Sequence, residues 1–295
     1  MDTPDNARTA LVTGANQGLG RALVAGLATR LGPDDRVLLT GRHPGRVAEA
    51  AAEVSAGLPA GSATVEGRVL DVRDVAAIHA LADELGSVDI VFSNAYERMS
   101  PGADPAAEVD AVADTSNVAT SQVLRAFGPR LRAGGRLVVV ASALGTLDKL
   151  DARVRPRFAA AAEADLDTVD RLVEEWRTAV LSGRAEAEGF GSWLNVPSKV
   201  AQVAAVRAYA RDRRERDLRD GTLVAALCPG LIDTDASRPW FEDMSAAQTT
   251  TEAAVWPVEL VLGSPDVEAW HGELVQFGQV LPWAAGGPVP QRIAG

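Results

Sequence analysis

The chain has 295 residues, 47% of them hydrophobic, enough for a large α/β domain with a full core and expected as one domain over 1–295. A net charge of −11 gives a phosphate backbone little to bind, which argues against nucleic acid as a partner. No apolar run approaches the roughly 18 residues of a membrane helix, and Met1-Asp2-Thr3-Pro4-Asp5 has no signal-peptide character, so the expectation is a cytoplasmic protein with no membrane partner.

The first predicted strand, Thr9 to Thr13, breaks into the turn Gly14-Ala15-Asn16-Gln17-Gly18-Leu19-Gly20 and enters a helix from about Arg21 to Leu31. Gly14 reaches backbone conformations closed to other residues, Gly18 lets a ligand approach with no side chain between, and Gly20 lets helix pack on strand. The helix start adds unpaired N–H groups and a partial positive charge, so Gly14, Asn16, Gln17, Gly18, Leu19 and Gly20 are expected to cradle a pyrophosphate. Their spacing is GxxxGxG, distinct from the GxGxxG fingerprint, and gains its meaning from the strand before and the helix after.

Arg36 to Thr40 is the second strand, apolar as a parallel strand covered on both faces should be. Arg42 follows it, 22 residues after Gly20. An acidic residue there suits the ribose hydroxyls of NAD; an arginine suits the extra phosphate of NADP, so the cofactor reads as NADP(H). A third strand, Val65 to Leu70, leads to Asp71-Val72, placed to meet an adenine with a carboxylate and a backbone amide. After a helix around Ile78 to Leu85, the fourth strand, Val88 to Phe92, runs into Ser93-Asn94-Ala95-Tyr96. A long helix is expected from about Ala106 to Leu131, then a fifth strand, Gly135 to Ser142, with Ser142 at the carboxyl end where open α/β sheets bind ligands. Another helix is expected from about Ser198 to Asp217. The alternation predicts an α/β fold with a single doubly wound parallel sheet, Rossmann-type, and helices on both faces.

Together these residues resemble the short-chain dehydrogenase/reductase family over nearly the whole chain. Thr13 to Gly20 matches its TGxxxGxG, Asp71 its adenine-site aspartate, Ser93 to Tyr96 its NNAG stretch and Ser142 its catalytic serine. Its YxxxK motif would end at Lys199, and its PG motif is Pro229-Gly230, followed by Ile232 and Thr234. The resemblance implies cofactor contacts from Asn94, Ala95, Lys199, Pro229, Gly230, Ile232 and Thr234. From Ser142 to position 195 there are 53 residues. The extra segment, a helical insertion at about 147–191 with Leu166, Val169, Leu172, Val173 and Trp176 at helical spacing, is similar to that of monomeric carbonyl reductases. So is the tail Trp270-His271-Gly272-Glu273-Leu274-Val275. In that branch the insertion covers a surface other members use to oligomerise, so the resemblance implies a monomer acting on a small-molecule substrate.

The family mechanism uses a tyrosine to protonate substrate, a lysine to lower the tyrosine pKa and hold the ribose, a serine to position the carbonyl and an asparagine to support a water relay. Ser142 and Lys199 are in register, but position 195 is asparagine in Trp193-Leu194-Asn195-Val196-Pro197-Ser198-Lys199. Counting thirteen back from Pro129 places Ser116 at the family's asparagine position, with Asn117 one residue on and about 100° around a helix; a one-residue gap in the count would put Asn117 there instead. Tyr96 replaces the last glycine of NNAG. A positioned general acid is worth roughly 10²- to 10⁴-fold in rate, whereas an amide offers hydrogen bonds without proton transfer, so ordinary carbonyl reduction is expected to be slow.

Three functions are consistent with these residues. One is an NADP-dependent reductase whose proton comes from Tyr96, a water held by Lys199 or a substrate hydroxyl. The second is a redox-neutral isomerase, dehydratase or cyclase in which Ser142 and Asn195 polarise a carbonyl. The third is an NADP-binding pseudoenzyme or sensor. Trp193, and the segment Leu231 to Thr250 with Trp240, Phe241 and Met244, are candidate walls or a lid for a large planar substrate; ordinary hydrophobic anchoring is the alternative. His43 reads as a solvated loop histidine, with contact to the cofactor phosphate as the alternative; His79 and His271 suggest no triad or metal site, Tyr209 reads as packing and Arg211 to Arg219 as a solvated face. Cys228, the sole cysteine, excludes an internal disulfide and reads as a small buried residue. Lysine occurs only at Lys149 and Lys199 among 29 lysines and arginines, which with the alanine content suggests a GC-rich bacterial genome and fits a secondary-metabolic enzyme.

Overall fold

The computed structural model describes residues 7–284; the Met1 to Asp5 stretch and the two ends of the expected 1–295 domain lie outside the described residues. In chain order the elements are β1 (Thr9–Val12), α1 (Gly18–Arg30), β2 (Arg36–Gly41), α2 (Pro44–Ala56), β3 (Thr64–Val69), α3 (Val75–Leu85), β4 (Val88–Ser93) and α4 (Pro105–Val112). A π turn (Ala113–Val118) joins α4 to α5 (Ala119–Phe127), followed by β5 (Leu131–Val140), α6 (Arg155–Ala162), α7 (Leu166–Leu181), α8 (Ala185–Glu188) and α9 (Asn195–Arg219). The described chain closes with β6 (Leu223–Leu227), α10 (Thr250–Leu262), α11 (Val267–Trp270), β7 (Leu274–Gln276) and β8 (Gln279–Leu281).

The strands form one sheet in the order β3-β2-β1-β4-β5-β6-β7-β8. All neighbours pair in parallel except β7 and β8, a hairpin that adds one antiparallel edge strand to the expected parallel sheet. Because successive side chains on a strand point to opposite faces, Leu11, Leu38, Leu137 and Val139 enter one hydrophobic layer, and Ala10, Val12, Leu39 and Val138 the other. Helices cover both layers, so the central strands are apolar on each face.

The insertion enlarges the first layer. Leu166, Val169, Leu172, Val173 and Trp176 are all buried, and α6 and α7 pack against α9. Helix α9 is consequently wrapped on most sides, and Pro197 to Val206 is an unbroken buried run. It begins at Asn195, three residues before the predicted start, while α1 begins at Gly18 rather than near Arg21.

The expected helix over 106–131 is observed as α4, the π turn and α5, ending at Phe127. A π turn adds one residue to a helical circuit and rotates everything after it, which bears directly on Ser116 and Asn117. Among the described residues no helix is long and apolar enough to cross a membrane.

Candidate active site

Thr13, at the end of β1, builds the floor. Its Oγ1 accepts from the backbone N–H groups of Asn94 (2.9 Å) and Ala95 (3.1 Å), locking the first turn onto the end of β4. Asn94 returns its side-chain amide to the carbonyls of Thr13 (2.9 Å) and Gly14 (3.2 Å). Gly14 sits at φ +62°, and a Cβ there would come within 2.7 Å of Ala95 Cα. Gly20 is equally confined by Asn94 and Gly14. Gly18 differs: its φ is +57°, yet nothing lies within 4 Å of where its Cβ would stand. It faces open space at the start of α1, whose N-cap, Gln17, supplies no side-chain hydrogen bond. Uncapped amides beside an open glycine are the features a pyrophosphate needs. Asn16 is turned toward β2, its Oδ1 filling the space a side chain at Gly41 would require, and Leu19 packs on the second hydrophobic layer.

At the adenosine end, Arg42 leaves β2 and pairs with Glu97 at 3.1 Å. Asp71 is gripped by Arg73 through Nη2 at 2.7 Å and Nε at 3.1 Å, and that bond holds its carboxyl below the ordinary range, with Arg42 contributing at longer reach. Val72 is buried beside it. Glu97 and Arg73 were missed in the sequence: their partners stand 55 residues away in the first case, and in the second the i,i+2 spacing in a loop carries no signal.

At the nicotinamide end of the sheet, Ser142 stands two residues past β5. Its Oγ accepts from Leu144 N–H at 3.2 Å, capping a short 3₁₀ turn (Ala143–Gly145) and leaving the hydroxyl proton free to donate. That turn is pressed on α9: a Cβ at Gly145 would stand 2.6 Å from Val203 Cγ2 and 3.1 Å from the Lys199 carbonyl. The close approach brings the Ser142 and Lys199 segments together. Lys199 is 7% exposed; burial pushes its ammonium down to about 8, with Cys228 acting weakly the other way. Its Nζ donates to Gln202 Oε1 at 2.8 Å and lies 5.0 Å from the centre of the Tyr96 ring. Burial, then Glu108 and Glu97, push the Tyr96 phenol up to about 12.

Asn195 opens the first turn of α9, and its Oδ1 is shielded from solvent with no partner among the described residues. The geometry separates Ser116 from Asn117. The side chain that reaches α9 is that of Asn117: Nδ2 donates to the Ser198 carbonyl at 2.8 Å, and Oδ1 accepts from Ser198 Oγ at 2.9 Å. Among the described residues the Ser116 hydroxyl is buried without a partner, while its carbonyl accepts from Thr120 Oγ1. The π turn supplies the one-residue displacement that a count along a regular helix lacks.

The loop after β6 is held from behind. Gln248 Nε2 donates to the Pro229 carbonyl at 3.0 Å, and Gly230, at φ +85°, leaves room for Gln248 and the Phe277 ring. Ile232 bridges to Gln248, and Thr234 is tied to Ser237 through both its N–H and its hydroxyl, each at 3.1 Å. The same loop brings Trp240 to Trp193, ring centres 5.7 Å apart and planes 30° from parallel. Trp193 also borders a cleft of about 420 Å³ with Lys149, Phe190 and Val196. Phe241 is exposed and Met244 half-buried. His79 bonds Gln122, His271 is buried against α9, His43 precedes α2, and Cys228 accepts from Gln276. The Tyr209 hydroxyl is buried against Gly128, without a partner among the described residues.

A mostly parallel doubly wound sheet with an open glycine turn at the first crossover defines the dinucleotide-binding class of α/β proteins. A short chain dehydrogenase family model matches residues 8–154. The NADPH carbonyl reductase 3 of Mus musculus is 30% identical over 288 residues, covering 94% of this chain and 99% of its own. The NADPH carbonyl reductase 1 of Homo sapiens is 29% identical over 286 residues, covering 93% and 98%. Salutaridine reductase from Papaver somniferum shares the fold, with a TM-score of 0.74 at 20% identity over 90% of this chain and 99% of that one. The chain belongs to the short-chain dehydrogenase/reductase family.

Proposed function

We propose that this protein is an NADP(H)-dependent oxidoreductase acting on a carbonyl of a fairly large, aromatic, natural-product-type substrate, with its proton drawn by way of Lys199 because no tyrosine stands at position 195. The curated relatives carry NADPH in their names, and the residues present fit that dinucleotide: the open Gly18, the uncapped start of α1 and Arg42 accept a phosphorylated nucleotide without rearranging the floor. When bound, NADP(H) supplies the hydride. The protein's own residues do the rest.

The observation that carries this reading is a buried ammonium, held by Gln202 beside the Tyr96 ring on a helix pressed against the Ser142 turn, where the phenol is absent. With its proton held at about 8, Lys199 can release it near neutrality, directly or to a water. Tyr96, at about 12, stays protonated and is the weaker acid, which leaves its ring as a wall over Lys199. Tyr209 lies ten residues farther along α9, about 15 Å away along the helix axis. Ser142 has a hydroxyl proton to offer a substrate oxygen. The paired indoles of Trp193 and Trp240 favour a planar, aromatic ligand. With α6 and α7 lying on α9, the protein is read as a monomer.

Asn195→Tyr tests this directly. The variant should reduce simple ketones at least about tenfold faster than the wild type. No gain with NADPH binding intact would refute the reductase reading. The amide at position 195 also supports redox-neutral chemistry, an isomerisation, dehydration or cyclisation; substrate conversion without matching NADPH oxidation would select it, and NADPH binding with no turnover would mark a sensor.

A further inference from the structure

Between α9 and the π-turned helix runs a buried chain of four residues: Lys199 (7% exposed), Gln202 (2%), Thr120 (2%) and Ser116 (0%). The chain has a fixed direction. Its inner end is the Ser116 carbonyl, which can only accept, so Thr120 Oγ1 donates its single proton there at 2.6 Å. Thr120 is left with lone pairs, and Gln202 Nε2 donates to them at 3.1 Å. With its nitrogen so engaged, the amide must turn Oε1 to Lys199, whose Nζ donates at 2.8 Å. A carbonyl oxygen is thereby presented to a buried cation that has no carboxylate partner among the described residues.

Resting on the reading that Lys199 carries the proton, we propose that Gln202 is a positioning residue, held through Thr120 by the Ser116 carbonyl, that fixes the Lys199 ammonium beside the Tyr96 ring and sets how readily it releases its proton. The groups facing Lys199 are few. Cys228 approaches from the end of β6, and Tyr96 from the loop after β4, with Glu97 and Glu108 acting on that phenol. Cys228 is itself buried, which pushes its thiol up and keeps it neutral. Gln202 is therefore the acceptor that decides whether the ammonium is solvated inside the protein.

The chain's two lysines make the test direct. Protein labelled with ¹³C-lysine gives two Cε signals, and Lys149→Arg assigns them. Titrated without cofactor, the Lys199 signal should have its midpoint near pH 8. Gln202→Leu removes the acceptor and should lower that midpoint by about one pH unit. Gln202→Glu places a carboxylate there and should raise it by about one pH unit or more. Thr120→Val frees the amide to turn and should lower it by a smaller step. If the leucine variant does not fold, the glutamate and valine variants decide. A midpoint that stays within about 0.2 pH unit of wild type in the folded variants overturns the proposal, even where melting temperature falls, since a packing role moves stability alone. Because the titration needs no turnover, loss of the reductase reading and loss of this one are separate results.

Discussion

Replacing Glu97 with glutamine should tighten NADPH binding and leave NADH almost untouched. Arg42, the residue suited to the extra phosphate of NADP, is held by Glu97 at 3.1 Å, with the two side chains 42% and 22% exposed. An incoming phosphate must compete with that carboxylate. At this separation two unit charges interact by about 1 kcal/mol in water and about 5 kcal/mol at an effective dielectric of 20. Partial exposure places the pair near the lower figure, in line with the roughly 0.2–1 kcal/mol of exposed ion pairs. Residual repulsion between Glu97 and a phosphate near two negative charges adds a similar amount, for a total of about 1–2 kcal/mol, or roughly 5- to 30-fold in Kd. Fluorescence titration of wild type and Glu97→Gln with both reduced coenzymes measures the ratio, and the NADPH gain should shrink at high salt. Equal gains for NADPH and NADH, or none for NADPH, would refute the assignment of Arg42 to the phosphate.

Gly18→Ala should weaken coenzyme binding at least tenfold while costing about 1 kcal/mol of stability, because the methyl enters open ligand space at a backbone angle of φ +57°; calorimetry and binding titration separate the two effects. Tyr209→Phe removes a buried hydroxyl with no partner, so melting temperature should hold or rise and turnover should not change; a loss of activity would make Tyr209 part of the chemistry. His271 accepts from Val224 N–H at Nδ1 and meets the Ala210 carbonyl through Nε2, an arrangement only the neutral ring satisfies, and burial lowers its pKa below 6.5. The folded state thus binds that proton more weakly than the unfolded chain does. Its contribution is whole above about pH 6.5 and is lost as pH falls through the depressed value, a slope that thermal melts should show in wild type and lose in His271→Gln.

Much of this protein was legible one residue at a time. The glycine turn, the apolar strands and the spacing of Leu166, Val169, Leu172, Val173 and Trp176 are local patterns, because backbone freedom and side-chain periodicity depend on neighbours in the chain. The doubly wound sheet follows from their alternation, although the antiparallel β8 did not, since a short hairpin on a sheet edge leaves little periodicity to read. The absence of tyrosine at position 195 was also plain in the sequence.

Counting along the chain left Ser116 and Asn117 both open, because a count assumes a regular helix. The π turn moved Asn117 onto α9, and no residue in Ala113–Val118 announces it. Nothing in the sequence singled out Gln202; Thr120, 82 positions away, turns its amide toward Lys199. Glu97 was an anonymous loop carboxylate until the fold placed it against Arg42. What sequence determined was everything governed by adjacent atoms: where the backbone can turn, which faces are apolar, which reactive groups exist. Which of those groups meet was decided by tertiary structure alone, because hydrogen bonds and ion pairs act over about 3 Å and only packing of distant segments brings their atoms within that reach.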